Sequence, residues 1–313
     1  MENKIYVTEN RSDYELRFGN STLLVRFVKK IPSAEFDMKS GCWHIQKTDK
    51  LLMDAFCYYA KSRFIVSDVI HLSDPSEAEG IADRMPTLRY HHHLLLEPYD
   101  YQKKGIQYMV THKRTFNCDD MGLGKTFQTI AAVDIANSYP CLVVCPASMK
   151  ITWQREFKRF TGKNSAILDD KNKDRWHYYI HTGTCKVFIT NYESVKKFFI
   201  LGCKTKRVTV KNLEVDSRMR LFKSGVIDEC HRCKEASTLW SKYLEAMCKG
   251  KEYVYMLTGT PIVTGNKDLV QQLKIMGRVN DFGGAAAFKD RYCQPDVGYE
   301  RLSELNYRLW ETC

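Results

Sequence analysis

The chain has 313 residues, of which 44% are hydrophobic and 27% charged, and it carries a formal net charge of +11. That length holds one large domain and one small one, each with its own core, and the composition excludes wholesale disorder. No apolar run approaches the ~18–20 residues that cross a bilayer. Residues 1–6, with Glu2 and Lys4, lack the apolar stretch of a secretory signal. No membrane association is expected, and the expected location is intracellular: cytoplasmic in a bacterium or phage, nuclear in a eukaryote. The excess of Lys and Arg favours a polyanionic partner, because a basic surface gathers phosphates. Cysteines such as Cys118, Cys141, Cys145 and Cys185 lie in apolar or strand-like stretches, where a free thiol behaves as a small hydrophobe.

Residues 1–70 read as a small α+β module. Short apolar or alternating runs at 5–7, 23–28 and 42–45 predict strands, separated by turn signals at Gly19-Asn20, Pro32-Ser33 and Ser40-Gly41. A helix is predicted over 50–61, with Leu51, Leu52, Ala55, Phe56 and Tyr59 on one face. Residues 71–93 are polar, contain Asp74-Pro75, Gly80 and Met85-Pro86, and read as a linker. Within them His91-His92-His93 reads as a solvated turn, since no spaced partner completes a metal site. Over 94–280, buried-type apolar runs at 141–145, 187–190, 225–228 and 253–258 alternate with helix-like segments at 149–160, 237–248 and 267–276. That alternation predicts an α/β domain with a mainly parallel sheet. The basic stretch 204–220 reads as an insertion or exposed hairpin between two strands.

The sharpest signal is Asp119-Asp120-Met121-Gly122-Leu123-Gly124-Lys125-Thr126, followed by a helix-like segment over 127–137. Binding a phosphate needs backbone N–H groups converging on one point, which small residues such as Gly122 and Gly124 permit around Leu123. The helix that opens behind them directs its N-terminus at the anion. Lys125 supplies a point charge to the phosphates and the Thr126 hydroxyl a ligand for Mg2+. The strict loop pattern starts with Gly six positions before the lysine, where this chain has Asp119.

Gly225-Val226-Ile227-Asp228-Glu229-Cys230-His231 supplies the acidic partner. Small and apolar residues end in two acids, which projects Asp228 from the carboxyl edge of the sheet, where open α/β sheets bind ligands. Asp228 is assigned to the metal and Glu229 to activating water. Cys230 and Cys233 invite a zinc reading, but no second pair lies at a suitable spacing. Further on, Leu257-Thr258-Gly259-Thr260-Pro261 ends another strand.

Together these segments resemble the Swi/Snf family of superfamily-two helicase-like ATPases. The loop is similar to that family's first motif, Asp228-Glu229-Cys230-His231 to its acidic box, and Thr258-Gly259-Thr260 to its third, coupling motif. Pro98-Tyr99-Asp100-Tyr101-Gln102 with Gly105 resembles its adenine-reading element, which implies that Gln102 contacts the base. Val143-Val144-Cys145-Pro146 with Ser148 and Trp153, and then Thr190-Asn191-Tyr192-Glu193, resemble its DNA-strand contacts, implying that Pro146, Ser148, Trp153, Thr190 and Tyr192 touch nucleic acid. His231 is implied at the nucleotide and in relaying closure. The likeness covers roughly residues 97–276 and fades through Phe288, Arg291-Tyr292-Cys293 and 305–309, where 281–313 resembles an exit segment toward a second lobe. Val28-Lys29-Lys30-Ile31-Pro32, Phe36-Asp37 and Trp43 resemble the small module of HARP-like annealing helicases, associated there with branched DNA. The bland alternative is a β-rich domain with Trp43 as core.

The resemblance implies a RecA-like P-loop lobe that uses ATP and Mg2+ and partners duplex or branched DNA. It also implies a second RecA-like lobe, from another chain or a further part of this protein, since the motifs of that lobe do not follow Pro261. The expected activity is that of an ATP-dependent DNA translocase or annealing helicase, incomplete in this chain alone. The alternatives are a non-catalytic ATP- and DNA-binding module regulating a full-length motor, and a phosphoryl-transfer enzyme acting on a small substrate.

Overall fold

The structure, a computed structural model, describes residues 4–9, 13–18, 21–38, 40–50, 52–53, 56–57, 65–66, 70–71, 94–294 and 299–313. The turn at Gly19-Asn20, Leu51, Ala55 and Tyr59, the linker beyond residue 71 and His91-His92-His93 lie outside the described residues. The chain divides into two compact units, Met1–Ile81 with Asn280–Glu311, and Ala82–Val279 with Thr312–Cys313.

In the first unit β1 (Lys4–Glu9) and β2 (Asp13–Arg17) pair antiparallel, with Val7 opposite Leu16. Helix α1 (Thr22–Val28) follows, then β3 (Glu35–Asp37) and β4 (Cys42–Gln46), with β4 antiparallel to both β2 and β3. The short strands β5 (Ile65–Val66) and β6 (Ile70–His71) join β1 in parallel. Alternation along the strands turns Ile5, Val7, Leu16, Trp43 and Ile45 into one core. Trp43 therefore packs inside, its ring 5.2 Å from that of Phe36.

The expected strand at 23–28 is instead α1. Ser21 caps it by accepting from the Leu24 N–H, and Leu24, Val28 and Ile31 are buried at helical spacing while Arg26 and Phe27 face out. Local β propensity in Leu23-Leu24-Val25 yields to that cap and to a one-sided core. In the next helical stretch Phe56 is buried as expected, together with Met53, whereas Leu52, expected on the same face, is 46% exposed.

Of the exit segment that the sequence sets apart at 281–313, all but the last two residues cluster with the N-terminal strands, in the stretch Asn280–Glu311. A buried ion network accompanies that packing. Arg291 of the helix Gly284–Tyr292 forks onto Glu304 of the helix Tyr299–Thr312 (Nε to Oε2 2.8 Å) and also pairs with Glu15 of β2. The Tyr292 hydroxyl donates to Glu304 Oε1 at 2.7 Å, and Arg308 lies 3.4 Å from the same oxygen. Burial works against the Glu304 carboxylate, yet the two guanidiniums outweigh it and hold the carboxyl below its usual range.

The second unit carries α2 (Asp100–His112), β7 (Arg114–Asn117), α3 (Lys125–Ile135), β8 (Cys141–Cys145), α4 (Lys150–Thr161), β9 (Ser165–Ile167) and β10 (Val187–Asn191). The antiparallel hairpin of β11 (Ile200–Cys203) and β12 (Leu213–Val215) overlaps the basic stretch, which begins just after β11 and contains β12, before β13 (Ser224–Asp228) and β14 (Tyr253–Leu257). Six strands form one sheet in the order β7-β14-β13-β8-β10-β9, every pairing parallel. All their carboxyl ends consequently lie on one edge. Strand β7 escaped sequence prediction because Arg114-Thr115-Phe116-Asn117 is short and has Phe116 as its one apolar residue. Among the described residues no helix is long and apolar enough to cross a membrane.

Glu304→Gln removes the charge shared by two buried guanidiniums, so it should destabilise the first unit by about 3–5 kcal/mol. Denaturant unfolding of the whole chain, followed by a probe in that unit, checks this. Because the folded Glu304 pKa is depressed, its contribution is present above the unfolded-state pKa and lost as pH falls through the folded one; the variant should lack that acid-sensitive component.

Candidate nucleotide site

One residue row organises the sheet edge. Asn117 of β7 stands opposite Leu257 of β14, and Leu257 opposite Asp228 of β13. The loop 118–124 leaves the sheet just after Asn117, and the acidic pair begins at Asp228. Two strand spacings separate them, on the order of 10 Å. Thr258 occupies the interval: its N–H donates to Asn117 O at 3.2 Å, and its Oγ1 lies 3.0 Å from His231 Nδ1 and accepts from Thr260 N at 3.0 Å. His231 Nδ1 is also 3.2 Å from Glu229 Oε2. Thr258 is buried while Thr260 is exposed, so this turn runs from the sheet interior to the surface.

The loop needs its glycines for two reasons. Gly122 and Gly124 have φ of +88° and +80°, a region that costs any other residue strain. At Gly124 a β-carbon would also come within 2.6 Å of Gln102 Nε2. Gly124 is the N-cap of α3 and supplies no side-chain cap, which leaves first-turn N–H groups of an eleven-residue helix for an outside acceptor. Lys125 Nζ donates to the Asp119 and Asp120 carbonyls at 2.6 and 3.0 Å, held at the mouth by the loop itself. Half-buried Thr126 follows it on the first turn.

Glu229 adopts φ 54°, ψ 49°, a left-handed conformation that is uncommon for a non-glycine residue and characteristic of functional turns. Burial pushes the Asp228 carboxyl above its ordinary range. The Trp153 indole N–H, donating to Oδ2 at 2.8 Å, opposes that push; the neighbouring Glu229 adds to it; and the Lys125 cation opposes it. Lys125 thus lies near enough to act on the Asp228 carboxyl. A cradle of N–H groups, a cation and a half-buried carboxylate with one oxygen already held suit an ATP–Mg2+ group: Gly122, Gly124, Lys125 and Thr126 would hold phosphates, Thr126 and Asp228 the metal.

Several expected contacts fall elsewhere. Gln102, expected at the adenine, has its amide committed to protein: Oε1 accepts from Tyr99 N at 3.1 Å and Nε2 donates to Leu123 O at 3.2 Å. It braces the loop. Trp153, Thr190 and Tyr192, expected on a DNA strand, are fully buried and offer no side-chain surface to one. Trp153 belongs to the apolar stripe Trp153, Phe157, Phe160 of α4, and Tyr192 hydrogen-bonds to the Asp228 carbonyl. Of that set, Ser148 is exposed and Pro146 half-buried. Cys230 and Cys233 are buried, Cys230 Sγ lying 3.1 Å from Gln272 Oε1. Sequence reasoning missed Gln128, whose amide reaches Asp119; a polar residue inside the buried run 127–133 was the available signal.

A parallel sheet with a glycine loop, a helix mouth and an acid on the same edge defines a nucleotide-binding lobe of the RecA-like class. Residues 101–311 match the SNF2-related domain family, and the chain belongs to it. It is 25% identical over 293 residues to the SWI/SNF-related matrix-associated actin-dependent regulator of chromatin subfamily A-like protein 1 homolog of Caenorhabditis elegans, a match covering 88% of this chain and 38% of that one. It is 25% identical over 232 residues to the human DNA annealing helicase and endonuclease ZRANB3, covering 72% and 19%. Among solved structures, the Sulfolobus solfataricus SWI2/SNF2 ATPase core in complex with dsDNA has the same fold, with a TM-score of 0.56 and 24% identity over 72% of this chain and 45% of that one. The chain spans less than half the length of each of these proteins. It carries a SNF2-family ATPase/helicase-type domain.

A carboxyl whose folded pKa is raised costs stability wherever it is ionised, and that cost fades as pH falls through the raised value. Asp228→Asn keeps an acceptor for Trp153 Nε1 and removes the charge. It should melt at a higher temperature than wild type at neutral pH, with the gap narrowing on acidification; melting curves recorded across pH check this, and equal midpoints at neutral pH would contradict it.

Proposed function

We propose that the second unit is the ATP-binding lobe of a DNA-dependent ATPase that tracks or anneals duplex DNA, with Asp228 and Glu229 acting on a magnesium–triphosphate held by Lys125. The observation that carries this reading is the shared row Asn117–Leu257–Asp228, which sets loop and acid on one edge with Thr258 between them. Bound ATP–Mg2+ would supply the activated phosphoryl group. Around it, the Gly122–Thr126 backbone and Lys125 orient phosphate oxygens, and Glu229, on its strained turn, takes a proton from water. His231 and Thr258 connect that turn to exposed Thr260, a path by which closure of the site reaches the surface.

Hydrolysis on this reading needs cations from a second RecA-like lobe, a contribution worth about 10³–10⁵ in rate in related phosphoryl-transfer systems. The excess of basic residues, +11 overall, suits contacts to DNA phosphates that are independent of sequence and weaken with salt. A small-substrate kinase would have no use for the Thr258–Thr260 turn.

Two variants test the assignment. Lys125→Ala should abolish measurable binding of an adenine nucleotide by the chain. Glu229→Gln should bind as wild type yet stop DNA-stimulated turnover when the chain is assayed with a second lobe supplied. Equal turnover by Glu229→Gln would remove Glu229 from its role, and wild-type binding without turnover on pairing would favour the regulatory module.

A further inference from the structure

The loop before Lys125 is gripped at both ends by one side chain that belongs to neither the phosphate mouth nor the acidic pair. Gln128, on the second turn of α3, is 1% exposed. Its Nε2 donates to Asp119 Oδ2 at 2.7 Å, where the loop begins, and to Leu123 O at 3.3 Å, where it ends. Gln102 of α2 donates to that same Leu123 oxygen at 3.2 Å. Two amides from two helices converge on one carbonyl.

The orientation of Gln128 is chemically fixed. Both neighbours of its nitrogen are oxygens, so reversing the amide would set three acceptors against one another. Its Oε1, buried with no hydrogen-bond partner, lies along the direction that a β-carbon of Gly105 would take, 2.2 Å from that position. Only glycine at 105 leaves room for it. Asp119, which stands where the strict loop pattern has glycine, is the other half of the clamp.

The consequence follows from peptide geometry. In a planar trans peptide the C=O and the next N–H point in opposite directions. Drawing the Leu123 carbonyl inward between α2 and α3 therefore turns the Gly124 N–H outward, toward the mouth where Lys125 lies. We propose that Gln128, through Asp119 and the Leu123 carbonyl, is a positioning residue that presets the loop N–H groups for nucleotide phosphates, with Gly105 as the space that admits it. This rests on the nucleotide reading above.

The test is the affinity of the full chain for a fluorescent ADP analogue with Mg2+, alongside melting temperature. Gln128→Glu places a carboxylate against Asp119 and Leu123 O and should weaken binding about tenfold or more. Adding Asp119→Asn restores one donor and one acceptor in the reverse sense but leaves a carboxylate oxygen against the Leu123 carbonyl, so it should recover part of the lost affinity, about threefold. Gly105→Ala, which the helix itself favours, should also weaken binding by displacing Oε1. If Gln128→Glu fails to fold, Gly105→Ala carries the test. Folded Gln128→Glu or Gly105→Ala with wild-type affinity, or no recovery in the double variant, overturns the proposal. Absence of binding by the wild type overturns the nucleotide reading itself, and this inference with it.

Discussion

Parallel pairing of β7, β14 and β13 is the constraint on which the site depends. Were either pairing alone antiparallel, the end of β7 and the end of β13 would lie on opposite edges and the Lys125 loop could not share a ligand with Asp228; were both, Thr258 would leave that edge. Parallel pairing in register instead delivers Asn117, Leu257 and Asp228 to a single row. The intervening strand then has to do something at that edge. Thr258 does so by joining the backbone of Asn117 on one side to the ring of His231 on the other, so the coupling turn is placed by the sheet and not by loop chemistry.

A buried and a half-buried carboxylate show how differently the chain treats charge. Glu304 has two guanidiniums and a tyrosine hydroxyl, and its carboxyl is held below the usual range. Asp228 has an indole N–H, a neighbouring acid and the influence of Lys125, and burial keeps its carboxyl above that range. The first is neutralised within the fold and serves packing. The second is left short of positive charge at a sheet edge, beside a residue in a left-handed turn, an environment that suits the metal-holding role proposed for it.

Most of the second unit was legible from sequence because its strands are continuous apolar runs and its motifs carry their own mechanics. Runs such as Cys141–Cys145 and Tyr253–Leu257 needed no tertiary information. Legibility failed where a residue has two kinds of use. Trp153 reads as a strand contact by motif, but Trp153, Phe157 and Phe160 are spaced as a core stripe, and a buried indole N–H requires an acceptor. Gln102 likewise reads as a base contact, yet its amide serves the loop. In the first unit, Leu23-Leu24-Val25 has the composition of a strand and becomes a helix because Ser21 caps it and one side alone is buried. The partners of Arg291 could not be read at all, since Glu15 lies far from it in sequence.

The loop itself contains a contest between dipoles and charge. At its start the Asp119 and Asp120 carbonyls turn toward Lys125 and occupy its ammonium; at its end the Leu123 carbonyl is drawn away by two amides. The same seven-residue stretch therefore presents acceptors to the lysine at one end and, on the proposal above, donors to the mouth at the other. An entering phosphate carries full negative charge and makes the stronger bond to an ammonium than a neutral carbonyl can. On the nucleotide reading it would take Lys125 from the loop while the N–H groups at the other end, as proposed above, already face it. The ligand then pays only for moving one flexible side chain, because the backbone that would be costly to reorganise is fixed from behind by Gln102 and Gln128.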